Sequence, residues 1–137
     1  MSKKHKELTR DFYQNVVSPA DTTRISEFCH DHMTFRSSLG HFKDGIEGFA
    51  EFLTSIGNAL DGFKCAIDDI ISERNKVCAR FTFSGIHTGD LLLFQATGAH
   101  VRWEGVALIT FKSGKIIDIW TLGDVRSLLR QLADASA

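Results

Sequence analysis

Gly114-Lys115-Ile116-Ile117-Asp118-Ile119-Trp120-Thr121-Leu122-Gly123-Asp124 reads as a strand that opens at a glycine turn and ends on a carboxylate. Its isoleucines and Trp120 fit a pleated, half-buried surface. Val125 to Leu132 follow, with Leu128, Leu129 and Leu132 at helical spacing. A strand that runs straight into a helix puts Asp124 at the rim of whatever the sheet encloses. Two readings of Asp124 stay open. Aspartate just before a helix is a preferred N-cap, worth about 1 kcal/mol. A carboxylate beside an apolar cavity is also pushed by desolvation towards the pKa range of proton transfer, although cap hydrogen bonds act the other way.

Working back from this stretch, Lys112-Ser113-Gly114 reads as a tight hairpin turn. Residues 101–111 alternate, with Val101, Trp103, Ala107, Ile109 and Phe111 on one face and Arg102, Glu104, Val106, Leu108 and Thr110 on the other. Residues 77–87 repeat the pattern, with Val77, Ala79, Phe81, Phe83 and His87 sharing a face. Asn75-Lys76 reads as the turn before it, and 63–73 as a further strand. The N-terminal half has helical spacing instead. Leu8, Phe12, Tyr13, Val16 and Val17 mark a helix over 4–17, ended by Ser18-Pro19. Asp21 caps a short second helix, Met33 to Arg36 reads as a short strand, and Asp44 with Glu47 opens a third helix over 45–60 in the manner of a capping box. Helices first and hairpin strands afterwards predict an α+β fold, with helices on one face of a curved, mostly antiparallel sheet. No linker or repeat interrupts the chain, so 1–137 is expected to form a single domain. The other sheet face is mixed polar and apolar, which favours a homodimer.

The chain has 137 residues, enough for a real core, and a net charge of −1. Scattered cations among acidic residues argue against nucleic acid or an anionic membrane surface as the main partner. Met1 to Glu7 is basic but short and reads as a solvated helix start. No apolar run spans a bilayer, and the N-terminus lacks the apolar segment of a signal peptide. Cys29, Cys65 and Cys78 show no C-x-x-C spacing and read as reduced, mostly buried thiols of a cytoplasmic protein. Eleven Phe against one Tyr and two Trp predict a thick aromatic interior, either solid or hollowed into a pocket.

Several residues are candidates for a site. His87, in Gly85-Ile86-His87-Thr88-Gly89, either orients a carboxylate or a developing oxyanion, or bonds local backbone in a turn. Trp103, Trp120, Phe83 and Tyr13 are candidate walls for a hydrophobic small molecule, or plain core. His30-Asp31-His32 carries no third ligand at a set spacing, so no metal site is expected. Arg36, Arg80 and Arg102 are candidates for a substrate carboxylate, with surface pairing of Arg80 and Arg102 to Glu104 the blander alternative. No nucleotide-binding loop and no nucleophile elbow is present.

Three stretches carry a resemblance: Phe83-Ser84-Gly85-Ile86-His87-Thr88-Gly89, then Ala96-Thr97-Gly98, then Gly114 to Trp120 ending at Asp124. They resemble the SnoaL-like polyketide cyclases (ester cyclases) within the nuclear transport factor 2-like superfamily. The resemblance implies a cone-shaped fold and a ring closure by intramolecular aldol chemistry, with no metal and no organic cofactor. It implies Asp124 as the general acid/base and a His on the preceding strand to position it. This chain has no His after His100, so Thr110, Glu104 or His87 would have to take that place. The superfamily also contains binders without activity. The expected function is a cofactor-free cyclase, lyase or isomerase acting on a hydrophobic carbonyl compound. A non-enzymatic binding or dimerisation module is the alternative.

Overall fold

The alternating strands form one sheet in the order β1-β5-β4-β3-β2. The structure, a computed structural model, describes residues 2–137. The expected helix start at Met1 to Glu7 is seen from Ser2 onward, Met1 lying outside the described residues. The elements are α1 (Ser2–Phe12), α2 (Ile25–Phe28), β1 (Cys29–Arg36), α3 (Gly45–Ala59), β2 (Leu60–Glu73), β3 (Lys76–His87), β4 (His100–Lys112), β5 (Lys115–Gly123) and α4 (Val125–Ser136). β1 runs parallel to β5, and the other neighbours are antiparallel. The α+β expectation is met, and the long strands lie where alternation put them.

Local chemistry explains the departures. The first helix is not uniform to residue 17. Tyr13–Val17 widens into a π-turn, closed by Ser18 N–H donating to the Tyr13 carbonyl at 3.0 Å. Such turns re-aim side chains within a helix. Asp21 caps the short turn before α2 by accepting from Thr23 N–H at 3.1 Å, as its sequence position predicts. Asp44 precedes α3 but makes no cap bond there, and instead accepts from Phe35 N–H at 3.3 Å, tying the helix start to β1. β1 begins at Cys29 rather than at Met33 because β5 gives its first residues a partner.

One face of the sheet packs against α1 and α3. Phe12, Val16, Leu53 and Ile56 from the helices meet Phe81, Val101, Ala107 and Ile109 from the strands, all buried. α4 lies along β4 where β5 has ended. There Gln131 acts as a substitute strand, accepting from Arg102 N–H at 3.0 Å and donating to the Arg102 carbonyl at 2.6 Å. The opposite sheet face leaves Ile86, Leu108, Trp120 and Leu122 substantially exposed.

The loop between β3 and β4 folds into a two-residue hairpin. Leu91 and Phe94 exchange backbone hydrogen bonds at 2.9 and 2.8 Å, and the residues between them, Leu92 and Leu93, take φ of 48° and 71°. Left-handed backbone costs an L-residue about 1–2 kcal/mol, whereas glycine adopts it freely. Leu93 is fully exposed, so its side chain recovers nothing by burial. Leu93→Gly should raise stability by about 0.5–1 kcal/mol, or roughly 2–5 °C in a thermal melt. A lowered melting temperature would mean that Leu93 makes a stabilising contact.

Candidate functional site

Between the helices and the concave sheet face lies a cavity walled by Phe35, Phe49, Phe52, Phe63, Phe81 and Phe83, with Tyr13 and Trp103 among them. Its volume is about 50 Å³, on a scale where one water takes roughly 10–15 Å³. It is therefore neither solid nor roomy. A small ring fits with modest side-chain adjustment, and a larger one requires the aromatic walls to turn. Phe63, Phe83 and Trp103 form a layered set, with centroids 6.4 Å apart for Phe63–Phe83 and 5.2 Å for Phe83–Trp103. Arg36, Ser37, Ser38, Leu39 and Thr121 are among the other lining residues.

Two glycines make this packing possible. Gly105 of β4 pairs with Gly123 of β5. A Cβ on Gly105 would stand 2.6 Å from a Phe83 ring carbon, and one on Gly123 would stand 3.3 Å from Trp103 Nε1. The pair of missing side chains is the space the aromatic rings occupy. A cross-strand glycine pair below two aromatics is a signal that the sequence does contain.

The cavity has few polar groups, and two of them lack partners. No hydrogen bond of the Tyr13 hydroxyl or of Trp103 Nε1–H is seen among the described residues; both residues are buried and line the cavity, and Tyr13 also borders a second groove with Ser18, Lys64 and Cys65. Burial, with smaller contributions from Cys65 and Cys29, pushes the Tyr13 phenol well above its ordinary range. It therefore stays a neutral donor. No Asp, Glu or His lines the cavity.

The other expected site residues lie elsewhere, for reasons of parity. In β5 the odd residues Ile119, Thr121 and Gly123 face the cavity. Trp120 and Leu122 therefore face outward, since successive side chains of a strand point to opposite sides. Trp120, expected as a wall beside Trp103, instead lies on the outer face, with the Arg36 guanidinium 5.2 Å from its ring centroid. Asp124 is exposed and caps α4, accepting from Ser127 N–H at 3.1 Å. It borders an outer groove with Arg80, Glu104 and Leu122 rather than the cavity. His87 is fully buried but is not part of the lining. Its Nδ1 accepts from Thr97 N–H at 3.2 Å and lies 2.9 Å from Thr97 Oγ1. That contact holds the Ala96-Thr97-Gly98 loop against the end of β3 and puts the proton of the neutral ring on Nε2. Nε2 itself is buried without a partner among the described residues. The expected pairing of Arg80 or Arg102 with Glu104 is not seen, because the ion pairs among the described residues involve only Arg24 and Lys43. His30 Nε2 is occupied by the Lys112 carbonyl at 2.7 Å, and no cluster of three or more metal-binding side chains occurs among the described residues.

Residues 7–132 match the family profile described as SnoaL-like polyketide cyclase, and the chain belongs to that family. Comparison with curated proteins gives no match. Among solved structures the chain is similar to TsrD from Streptomyces laurentii, with 22% identity over 95% of each chain and a TM-score of 0.85. A provisionally assigned polyketide cyclase from Acidithiobacillus ferrooxidans gives 19% identity, 96% of each chain and a TM-score of 0.86. AclR from Streptomyces galilaeus, provisionally assigned as a hydroxylase, gives 20% identity, 98% of each chain and a TM-score of 0.84. These likenesses establish the nuclear transport factor 2-like fold, and the family profile supports cyclase- or isomerase-type chemistry in general terms. No helix is long and apolar enough to cross a membrane among the described residues.

Two expected outcomes follow from this geometry. Asp124→Asn should leave stability almost unchanged, whereas Asp124→Ala should cost about 1 kcal/mol, because Asn caps a helix and Ala does not. Equal, large losses in urea titrations of both variants would contradict the cap. The second concerns alkali. Burial pushes Cys29 up to about 12, against a smaller opposing effect of Lys115, and raises Cys65 and Tyr13 well above their usual ranges. The folded state thus holds these protons more tightly than the unfolded chain does. The stability they contribute is intact below the ordinary thiol range and is lost as pH climbs through the folded values. Denaturation midpoints should hold between about pH 6 and 8 and fall above about pH 9. Midpoints level up to about pH 11 would show that these groups titrate normally.

Proposed function

We propose that this chain is a cofactor-independent cyclase, lyase or isomerase that takes a small hydrophobic carbonyl compound into the aromatic cavity. The observation that supports the binding step is a largely aromatic cavity whose lining includes two residues with N–H or O–H donors free of hydrogen bonds to described residues, Tyr13 and Trp103. A carbonyl oxygen would accept from them, and the same donors would stabilise the oxyanion formed when a proton leaves the adjacent carbon. Phe83 would hold the apolar body beside Trp103.

Asp124 is the acid/base in this reading, as the family resemblance implies, and its position sets a condition. It would have to release Ser127 N–H and turn inward past Gly123, which has no side chain to obstruct it. His87 would then support the site only by fixing the Ala96-Thr97-Gly98 loop. A second reading, a binding module without catalysis, is favoured by the lack of any carboxylate in the cavity lining.

Native mass spectrometry of freshly purified protein, followed by mild denaturation, should release a small apolar carbonyl compound. Tyr13→Phe and Trp103→Phe should each weaken its binding roughly three- to tenfold, the value of one hydrogen bond. Asp124→Asn should bind it normally and convert it at least about a hundredfold more slowly. Unaltered conversion by Asp124→Asn would leave Asp124 a cap and nothing more.

The outer sheet face, with Leu108, Trp120 and Leu122 exposed beside the unpaired charges Arg80 and Glu104, suits a second copy of the chain. A two-fold axis would bury the apolar residues and set Arg80 of one copy against Glu104 of the next. Leu108→Lys should convert a dimer to monomer in sedimentation velocity, and a native chain that sediments as a monomer at high concentration would contradict this part of the proposal.

A further inference from the structure

The cavity holds about 50 Å³, so a ligand that bears a ring is admitted only where a wall gives way. Two of the walls are firmly built. Phe81, Phe83, Trp103 and Ile119 belong to strands that are paired on both sides. Tyr13, Val17, Phe49 and Ile56 are buried side chains of helical turns. A further wall is made by Ser37, Ser38 and Leu39, in the segment 37–43 that joins β1 to α3 without regular structure. Among the described residues, no backbone–backbone hydrogen bond ties this segment to the rest of the chain. Ser38 attaches it to the sheet. Its Oγ accepts from Gly123 N–H at 3.0 Å and donates to the Thr121 carbonyl at 3.5 Å. On the helix side Phe42 packs edge-on against Phe52, with centroids 5.5 Å apart. Lys43 pairs there with Glu51 and Glu47 at 3.4 and 3.6 Å, but these exposed pairs add little. An open groove of about 340 Å³ borders Gly40, His41, Phe42 and Lys43, which gives the segment room to move.

A fold opens most readily where few backbone hydrogen bonds and few buried contacts have to break. We infer that residues 37–43 are the entrance to the cavity and that Ser38 is its latch, fastening the segment to the end of β5. Arg36, the last residue of β1, donates to the Thr121 carbonyl at 2.5 Å. The strand therefore stays pinned while the segment beyond it swings. When Ser38 lets go, water replaces it at Gly123 N–H, so release costs no more than the net value of a hydrogen bond. The inference rests on the cavity-binding reading above and adds a division of labour to it. Ser38 sets how fast a ligand enters and leaves, and the aromatic rings set how tightly it is held.

The test uses the intact chain with acetophenone and 2-acetylnaphthalene as probes, followed by stopped-flow tryptophan fluorescence. Ser38→Ala should raise the association and dissociation rate constants of both ketones together, about fivefold, because the latch closes over the empty and the filled cavity alike. Ser38→Thr, which keeps the hydroxyl, should keep rates close to native, and rates raised equally by Ser38→Thr would overturn the hydroxyl as the latch. Phe42→Leu loosens the segment at its other attachment, away from the cavity lining. It should raise both rate constants in the same way, and it becomes the decisive variant if Ser38→Ala melts early. A weaker affinity at an unchanged association rate would make Ser38 a ligand contact and overturn the latch. Rates unmoved by Ser38→Ala and by Phe42→Leu would place the entrance elsewhere and leave the cavity reading intact. Failure of both ketones to bind the native chain would overturn the cavity reading together with the entrance.

Discussion

The register of β5 between β1 and β4 is the constraint on which the rest depends. It decides which of two adjacent side chains meets the ligand space and which meets solvent. A shift by one residue would bring Trp120, Leu122 and Asp124 inward and send Ile119 and Thr121 out. The observed register is fixed from both sides. Ile109 pairs with Ile119, both buried, and Gly105 pairs with Gly123. On the far side β1 runs parallel, with Phe35 beside Ile119 and Arg36 beside Trp120. The opposite register would bury Asp118, which is now engaged by Thr34.

From that constraint the cavity follows. The glycine pair leaves a shallow depression in the inner face of the sheet. Phe83 and Trp103 lean into it. The π-turn at Tyr13 brings the phenol to the same space from α1. Its ring sits 4.6 Å from that of Phe81, centroid to centroid. The helices therefore do more than cover the sheet. They bring a tyrosine ring, among the phenylalanines, to the edge of the ligand space.

Much of this was legible in the sequence. The alternation over 77–87 and 101–111 marks the long strands and their buried faces, because a period of two has one structural solution when one face is apolar. The helix after Asp124 was equally plain. The site was less so. Reading Trp103 and Trp120 as a pair of walls looked at residue type and strand proximity, whereas side is set by register. Gly105↔Gly123 decides register, and neither glycine attracts attention alone. Asp124 was ambiguous because one carboxylate satisfies the sequence pattern for a cap and for an acid/base. The cap bond to Ser127 N–H is seen, and acid/base work would need the carboxylate to leave it. Arg36 looked like one of three equivalent strand arginines until β1 was seen to pair with β5. The Leu92-Leu93 turn carries no glycine or asparagine, so its left-handed backbone had no sequence signal at all.

The chain contains two tryptophans, one inside the cavity and one outside, which makes the ligand space open to direct observation. We would label both with 5-fluorotryptophan and follow their fluorine resonances while titrating a small neutral ketone such as acetophenone. A saturable shift of the Trp103 resonance, with Trp120 nearly still, is the predicted result. No shift of Trp103, or a shift confined to Trp120, would contradict the cavity as the site where this protein receives its ligand.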